Sequence, residues 1–301
     1  MQRHTAQYSV RVVSGPARST SGSGMLHAAL HHVASRDWLR HMGEGGSAMQ
    51  LEGRHALVTG GGTGIGRDIA GALARKGAEV TITGRNLDRL QEVAAETPRL
   101  HPLQMDVARE ASVRDGIAEA AGARGPVTIC VANAGIAEPA PFHRETLDHW
   151  RHTMAINLDG AFLTFQAAMA TLSPDQPARM IAIASIAGLR GLRGAIAYTA
   201  SKHGLIGLIR GMSEEYMGGP VTFNAICPGY VDTPIVDRNA AQIADRQDIS
   251  DDEARMILAK GNRHRRLLDT EEVTATALWL CSDAARSVNG QTIQIAGGQV
   301  S

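Results

Sequence analysis

Tyr198 and Lys202 stand four residues apart in Tyr198-Thr199-Ala200-Ser201-Lys202, and Ser185 precedes Tyr198 by thirteen residues. On a helix that spacing puts the phenol and the ammonium on one face, one turn apart. A cation so placed favours phenolate over phenol and draws a group of reference pKa about 10 toward neutrality, which equips Tyr198 to exchange a proton with a carbonyl or alcohol oxygen. The same spacing also describes an ordinary solvated helix face, so the meaning of the pair depends on its company.

Further back runs Thr59-Gly60-Gly61-Gly62-Thr63-Gly64-Ile65-Gly66, after the apolar Ala56-Leu57-Val58 and before Ile69, Ala70, Leu73 and Ala74 at helical spacing. The order predicts strand, glycine turn and helix. Glycines let a backbone approach a pyrophosphate closely, and a helix N-terminus offers free N–H groups and a positive dipole end to the phosphate charge. Dinucleotide binding is the chemistry this loop supports.

The elements that must position these residues alternate along the chain. Apolar runs at 56–59, 80–83, 100–105, 127–132, 180–185, 221–226 and 292–295 predict seven strands, and amphipathic segments such as 87–95, 147–171, 198–217 and 271–281 predict helices between them. Such alternation predicts an α/β fold, a Rossmann-type doubly wound parallel sheet with helices on both faces and right-handed crossovers. Ligands of open α/β sheets bind beyond the carboxyl ends of the strands. The glycine loop, Asn133, Ser185 and Pro228 all directly follow predicted strands.

Taken in order, these motifs resemble the short-chain dehydrogenase/reductase family from about residue 51 to the C-terminus. The glycine loop has the family's Thr-Gly-x-x-x-Gly-x-Gly form, Asn133-Ala134-Gly135 follows the fourth strand, Asn157 lies in the next helix, and Pro228-Gly229 with Thr233 follows Ser185, Tyr198 and Lys202. The resemblance implies that Ser185 hydrogen-bonds the substrate oxygen, that Tyr198 is the acid/base, and that Lys202 binds the nicotinamide ribose while lowering the tyrosine pKa. Asn157 would complete the tetrad by holding a water in the proton relay. It further implies cofactor contacts from Gly60, Thr63, Gly64, Ile65 and Gly66, from Asn133, Ala134 and Gly135, and from Pro228, Gly229, Val231 and Thr233. Asp106 and Val107 match the position that contacts the adenine. A homotetramer is also implied, with helices 147–171 and 198–217 at one interface and the last strand at another.

Cofactor choice is read at the end of the second strand, Thr81-Ile82-Thr83-Gly84-Arg85. An acid there would bind the adenosine ribose and repel a 2′-phosphate, the NAD signature. Gly84 occupies that place and Arg85 offers a guanidinium to a 2′-phosphate, so NADP is expected, with NAD the alternative if Arg85 is only a surface residue.

The 301 residues suit one such domain, 50–301, preceded by a leader, 1–49, rich in Arg, Ser and His with only Asp37 and Glu44 as acids. That leader reads as a disordered appendage, an organelle-targeting segment or residues ahead of a true start at Met49, the last being favoured. His27 with His31, and His149 with His152, lack the carboxylate or cysteine partners of a metal site, and no metal is expected. Formal net charge is zero, which gives no general attraction to nucleic acid or membrane. Cys130, Cys227 and Cys281 are scattered singly, as buried thiols of a cytoplasmic protein would be.

Substrate information should lie in residues 230–268. Ser250-Asp251-Asp252-Glu253 has capping-box form and predicts a short lid helix over the cofactor. Arg266 falls where many members of the family it resembles carry a basic residue, a structural role being the alternative, whereas Arg263 and Arg265 either face solvent or meet a phosphate-bearing substrate arm such as coenzyme A or a carrier protein. Family members of the 3-hydroxybutyrate dehydrogenase kind carry a histidine and a lysine where this chain has Ala187 and Ala195, so the resemblance leans toward 3-oxoacyl or polyketide ketoreductases. The reading is reduction of a 3-oxoacyl thioester or similar β-keto compound with NADP(H). The alternatives are NAD(H)-linked oxidation of a 3-hydroxy acid or other secondary alcohol, and a nucleotide-binding regulator without catalysis.

Overall fold

Apolar runs that are buried on both faces become central strands of a parallel sheet, and the long Val-, Ile- and Leu-rich stretches of this chain do so. The computed structural model describes residues 50–299. The leader 1–49, with His27, His31 and the expected domain boundary, lies outside the described residues. The described chain runs β1 (His55–Thr59), α1 (Gly64–Arg75), β2 (Glu79–Gly84), α2 (Leu87–Glu96), β3 (Leu100–Gln104), α3 (Glu110–Arg124) and β4 (Val127–Ala132). It continues through α4 (Leu147–Met154), a π turn (Ala155–Asp159), α5 (Gly160–Met169), β5 (Ala178–Ile183), α6 (Ile196–Glu215) and β6 (Val221–Pro228). After α7 (Pro234–Gln247), α8 (Asp251–Ala259) and α9 (Thr270–Cys281) it ends with β7 (Thr292–Ile295). The seven strands lie in the order β3-β2-β1-β4-β5-β6-β7, every neighbouring pair parallel, which is the expected Rossmann-type sheet.

The pleat sorts alternate strand residues into two cores. Ala56 and Val58 of β1, Ile129 and Val131 of β4, and Ile181 and Ile183 of β5 face Ile69 and Leu73 of α1, Val93 of α2 and Val273 of α9. The intervening Leu57, Cys130 and Met180 face Ile117 of α3, Phe165 of α5 and Ile209 of α6. Full burial of each such large side chain stabilises the fold by roughly 1.5–3 kcal/mol. Pro102, which has no N–H to donate, sits in β3 at the edge of the sheet.

Departures from expectation that bear on the site concern β5, β6 and the helix over 147–171. β5 ends at Ile183 rather than 185, because Ser185 turns away to cap a short 3-10 segment, Ile186–Gly188. β6 runs on to Pro228, which therefore ends the strand instead of following it, and Gly229 N still donates to Ile295 O at 2.9 Å. The single helix expected over 147–171 is two α-helices separated by the π turn that carries Asn157.

The excursion after β6 holds two helices where sequence marked one. α8 begins with the expected capping box of Ser250 and Glu253. α7 was signalled by Thr233-Pro234, an N-cap followed by proline at the first helical position. Val236, Ala240 and Ala244 of α7 pack on Ala254 and Leu258 of α8 as a small third core. Arg255 of α8 ties this pair to the sheet side, donating to Asp232 at 2.6 Å and to Asp237. A part-exposed pair of this kind contributes at most about 1 kcal/mol, or roughly 2–4 °C in Tm for a chain of this size. Arg255→Ala is therefore expected to raise proteolytic cleavage within 234–259 several-fold while leaving Tm within that range. Unchanged cleavage would mean that the apolar contacts alone hold α7 and α8 in place.

Candidate active site

The strand order reverses direction at β1 and β4, and the carboxyl ends of these strands diverge there into a crevice. Asn133 clasps the two sides: its side-chain N–H groups reach Thr59 O at 2.9 Å and Gly60 O at 3.3 Å, and its backbone N donates to Thr59 Oγ1 at 3.0 Å. Ala134 N donates to the same hydroxyl at 3.0 Å. Gly66 lies under this clasp, where a Cβ would come within 2.3 Å of the Asn133 amide and 2.5 Å of Gly60 O. Any larger residue would push the loop out of place. Thr63, the N-cap of α1, makes no side-chain cap, and the first turn carries no acid. The first N–H groups of α1 thus keep their donors for an anion, which fits the pyrophosphate of a dinucleotide.

A groove of about 670 Å³ opens beside this loop, bordered by Gly60, Thr63, Gly84, Arg85 and also by Asn86 and Arg89. Asn86 caps α2, accepting from Arg89 N at 3.0 Å. Sequence reading singled out Arg85 alone. Arg89 is found only when the helix turn that brings position 89 back beside 85 is known. Asp106 and Val107 border neither this groove nor the cavity described next. The Asp106 carboxylate accepts from Ala108 N at 3.1 Å, and Val107 packs against Gly160.

On the other side of the clasp lies a cavity of about 380 Å³ that brings together Ile65, Asn133, Gly135, Ser185, Tyr198, Lys202, Pro228, Gly229, Val231 and Thr233. Gly64, Gly66, Ala134 and Asn157 do not border it. Lys202 is buried, lies 5.8 Å from the centre of the Tyr198 ring, and donates to Ile183 O at 2.8 Å. Ser185 Oγ accepts from Ala187 N at 3.1 Å. The Asn157 side chain is buried within protein, donating to Ile136 O at 2.9 Å and Ser201 Oγ at 3.1 Å and accepting from Ile136 N at 2.8 Å. It secures the segment after β4 to α6.

The electrostatics differ from the expectation that Lys202 draws the phenol toward neutrality. Burial pushes the Tyr198 phenol up, only partly offset by the Ser185 hydroxyl, and burial pulls Lys202 down to about 8. Neither group has a carboxylate beside it, so desolvation decides both. At neutral pH the pair is phenol and ammonium.

Ala187 is fully buried and does not border the cavity, which corrects its reading as pocket wall; Ile186 and Ala195 do border it. Tyr230 is a further lining residue, held by the buried Asn262, which accepts from Tyr230 N at 2.9 Å and donates to Tyr230 O at 2.8 Å. Arg263 and Arg265 border neither space, and the arginines that do reach the cavity are Arg193 and Arg246. Arg266 is engaged by Glu272: two bonds of 2.6 and 2.9 Å between them pull that carboxyl down to about 2. His149 is taken by Glu145 at 2.5 Å and Glu138 at 3.7 Å rather than joined to His152. Cys130, Cys227 and Cys281 are buried free thiols, with burial raising Cys227 to about 11. No helix among the described residues is long and apolar enough to cross a membrane.

A lysine with a native value near 8 and an ordinary value of 10.5 burdens the fold at neutral pH. Between those values the unfolded chain binds more protons than the native one, so the stability attributable to Lys202 rises with pH across that window. Lys202→Met should therefore be more stable than wild type at pH 7 by roughly 3 kcal/mol, with most of the gap gone by pH 10. Urea unfolding at both pH values checks this, and an equal gap at both would trace the gain to methionine packing instead.

A family model described as short chain dehydrogenase matches residues 54–244. The D-beta-hydroxybutyrate dehydrogenase of Rhizobium meliloti is 31% identical over 252 residues, covering 81% of this chain and 97% of its own. The acetoacetyl-CoA reductase of the same organism is 33% identical over 246 residues, covering 82% and 98%. Among solved structures, a variant of actinorhodin polyketide ketoreductase with NADPH matches at a TM-score of 0.79 and 27% identity, over 82% of this chain and 97% of that one.

Proposed function

The chain belongs to the short-chain dehydrogenase/reductase family, whose members work between keto and hydroxy substrates with NAD(P), and from that premise we propose that it reduces a β-keto thioester with NADPH. The observation that carries the reading is the convergence of Ser185, Tyr198 and Lys202 on one largely apolar cavity beyond the ends of β5 and β6. When bound, the nicotinamide supplies the hydride. Tyr198, kept protonated by its surroundings, gives its proton to the carbonyl oxygen as negative charge develops there. Ser185 Oγ donates a hydrogen bond to the same oxygen, and Lys202 places a positive charge behind the phenol that eases departure of the proton. Asn157 acts through position, holding α6 against the segment after β4.

Support for NADP is the groove at the end of β2, where glycine rather than an acid ends the strand at Gly84 and where Arg85 and Arg89, two cations against the single carboxylate of Asp88, border the space a 2′-phosphate would take. Support for a thioester is the cavity lining beside Ser185 and Tyr198: Ile136, Ala137, Ile186 and Ala195 offer no charge to a carboxylate adjoining the carbonyl. The hydroxybutyrate dehydrogenase relative keeps a second reading, NAD(H)-linked oxidation of a hydroxy acid.

Assays with acetoacetyl-CoA and with acetoacetate, each with NADPH and NADH, separate the two readings, since faster turnover of the free acid with NADH would favour the second. Tyr198→Phe is expected to bind NADPH as wild type does while losing about two to four orders of magnitude in kcat. Retention of most activity would remove Tyr198 as the proton donor. Arg85→Ala should raise KM for NADPH by roughly tenfold and leave NADH almost unchanged. Parallel effects on both cofactors would make Arg85 a bystander.

A further inference from the structure

Helix α7 runs along the cavity rather than past it. Ile235, Asn239, Ile243 and Arg246 follow one another at helical spacing and all border the same space. Thr233 at its start touches the glycine loop, since a Cβ on Gly64 would lie 3.2 Å from the Thr233 methyl. Arg246, thirteen residues on, stands about 20 Å further along the helix axis. The cavity is thus elongated, with its reacting groups near one end and Arg246 near the other. Arg193, on the turn before α6, borders it as well.

These two arginines differ from their neighbours in the charges they meet. Arg255 is paired with Asp232 and Asp237, and Arg266 with Glu272. Among the described residues, neither Arg193 nor Arg246 forms an ion pair. The Arg246 guanidinium is aimed by Gln242, through Nε to its backbone O at 3.1 Å and through Nη2 to Oε1 at 3.2 Å, which leaves Nη1 without an acceptor among the described residues. The one carboxylate bordering the cavity, Glu138, lies 3.7 Å from His149 Nε2. Asp245 and Asp248 flank Arg246 in sequence without pairing to it. Two guanidiniums without ion-pair partners on a largely apolar cleft, Arg246 toward its far end and Arg193 on the turn before α6, match a ligand with an apolar body and an anionic group away from the reacting carbonyl.

Resting on the β-keto reading of this cavity, we infer that Arg193 and Arg246 form a seat for an anionic group that the substrate carries at a distance from its reacting carbonyl. A phosphate on the thiol arm of a thioester and a carboxylate at the far end of the acyl chain share that chemistry. Three esters distinguish them: acetoacetyl-CoA, the uncharged N-acetylcysteamine thioester of acetoacetate, and the N-acetylcysteamine thioester of a 3-oxo dicarboxylic acid.

The readout is the charged-to-neutral ratio of kcat/KM in wild type, Arg193→Gln, Arg246→Gln and the double variant. The ratio for one charged ester should fall roughly tenfold in each single variant and about a hundredfold in the double, mainly through KM. A fall with acetoacetyl-CoA identifies the phosphate arm; a fall with the dicarboxylic ester identifies the acyl terminus. A ratio unchanged for both esters overturns the proposal. Turnover-free dissociation constants, from quenching of NADPH fluorescence in the Tyr198→Phe background with and without the two arginines, keep the failures apart. If no ester is reduced yet a charged one binds more tightly and loses that advantage with the arginines, the β-keto reading fails and the seat stands. Equal binding of charged and uncharged esters sinks the seat whatever the turnover.

Discussion

The bonds from Asn133 and Ala134 to Thr59 and Gly60 join β1 to β4 where the strand order turns back on itself. Everything functional hangs from that junction. A parallel sheet of this order leaves its carboxyl edge open between these two strands, and an open edge would expose loop backbone to water with no fixed shape. One amide side chain and one hydroxyl satisfy four backbone groups there. The glycine loop on one side and the cavity on the other are consequently parts of one rigid crevice. Gly66 lies beneath them because the space left is smaller than a methyl group.

Much of this was legible in the sequence because the signals are local. Glycine spacing, alternating apolar runs and the Tyr198–Lys202 interval report geometry over a few residues, and the sheet, the loop and the shared cavity follow from them. What could not be read depends on contacts between distant segments. The π turn at Asn157 interrupts what reads in sequence as one continuous helix, and its sequence carries no glycine or proline to mark the break. Arg193, Arg246 and Asn262 become meaningful only once α7 is laid along the cavity, and nothing near them in sequence distinguishes them from Arg263 or Arg265. Ala187 illustrates the opposite error: two residues from Ser185 is close in sequence, yet the 3-10 segment after β5 buries its side chain in the core.

The Tyr198–Lys202 pair also shows how burial and charge compete. Spacing alone argues for a lowered phenol, but spacing says nothing about solvent. Desolvation shifts the two groups in opposite directions, away from a phenolate and toward a less basic amine, and it wins because no carboxylate is near. The pair remains suited to donating a proton, at a cost to the stability of the resting fold.

The excursion that carries α7 and α8 is closed at its base. Val231 bridges to Leu268, Asp232 N donates to Leu268 O at 2.8 Å, and Asn262 holds Tyr230 and Arg266 together. Its two ends meet as a stem, and what lies between them makes its own small core. Such an insert can change length and composition at little entropic expense, since lengthening a closed loop costs only slowly with size. The cavity wall that α7 provides can therefore be rewritten in length and side chains while the strands and the crevice keep their geometry.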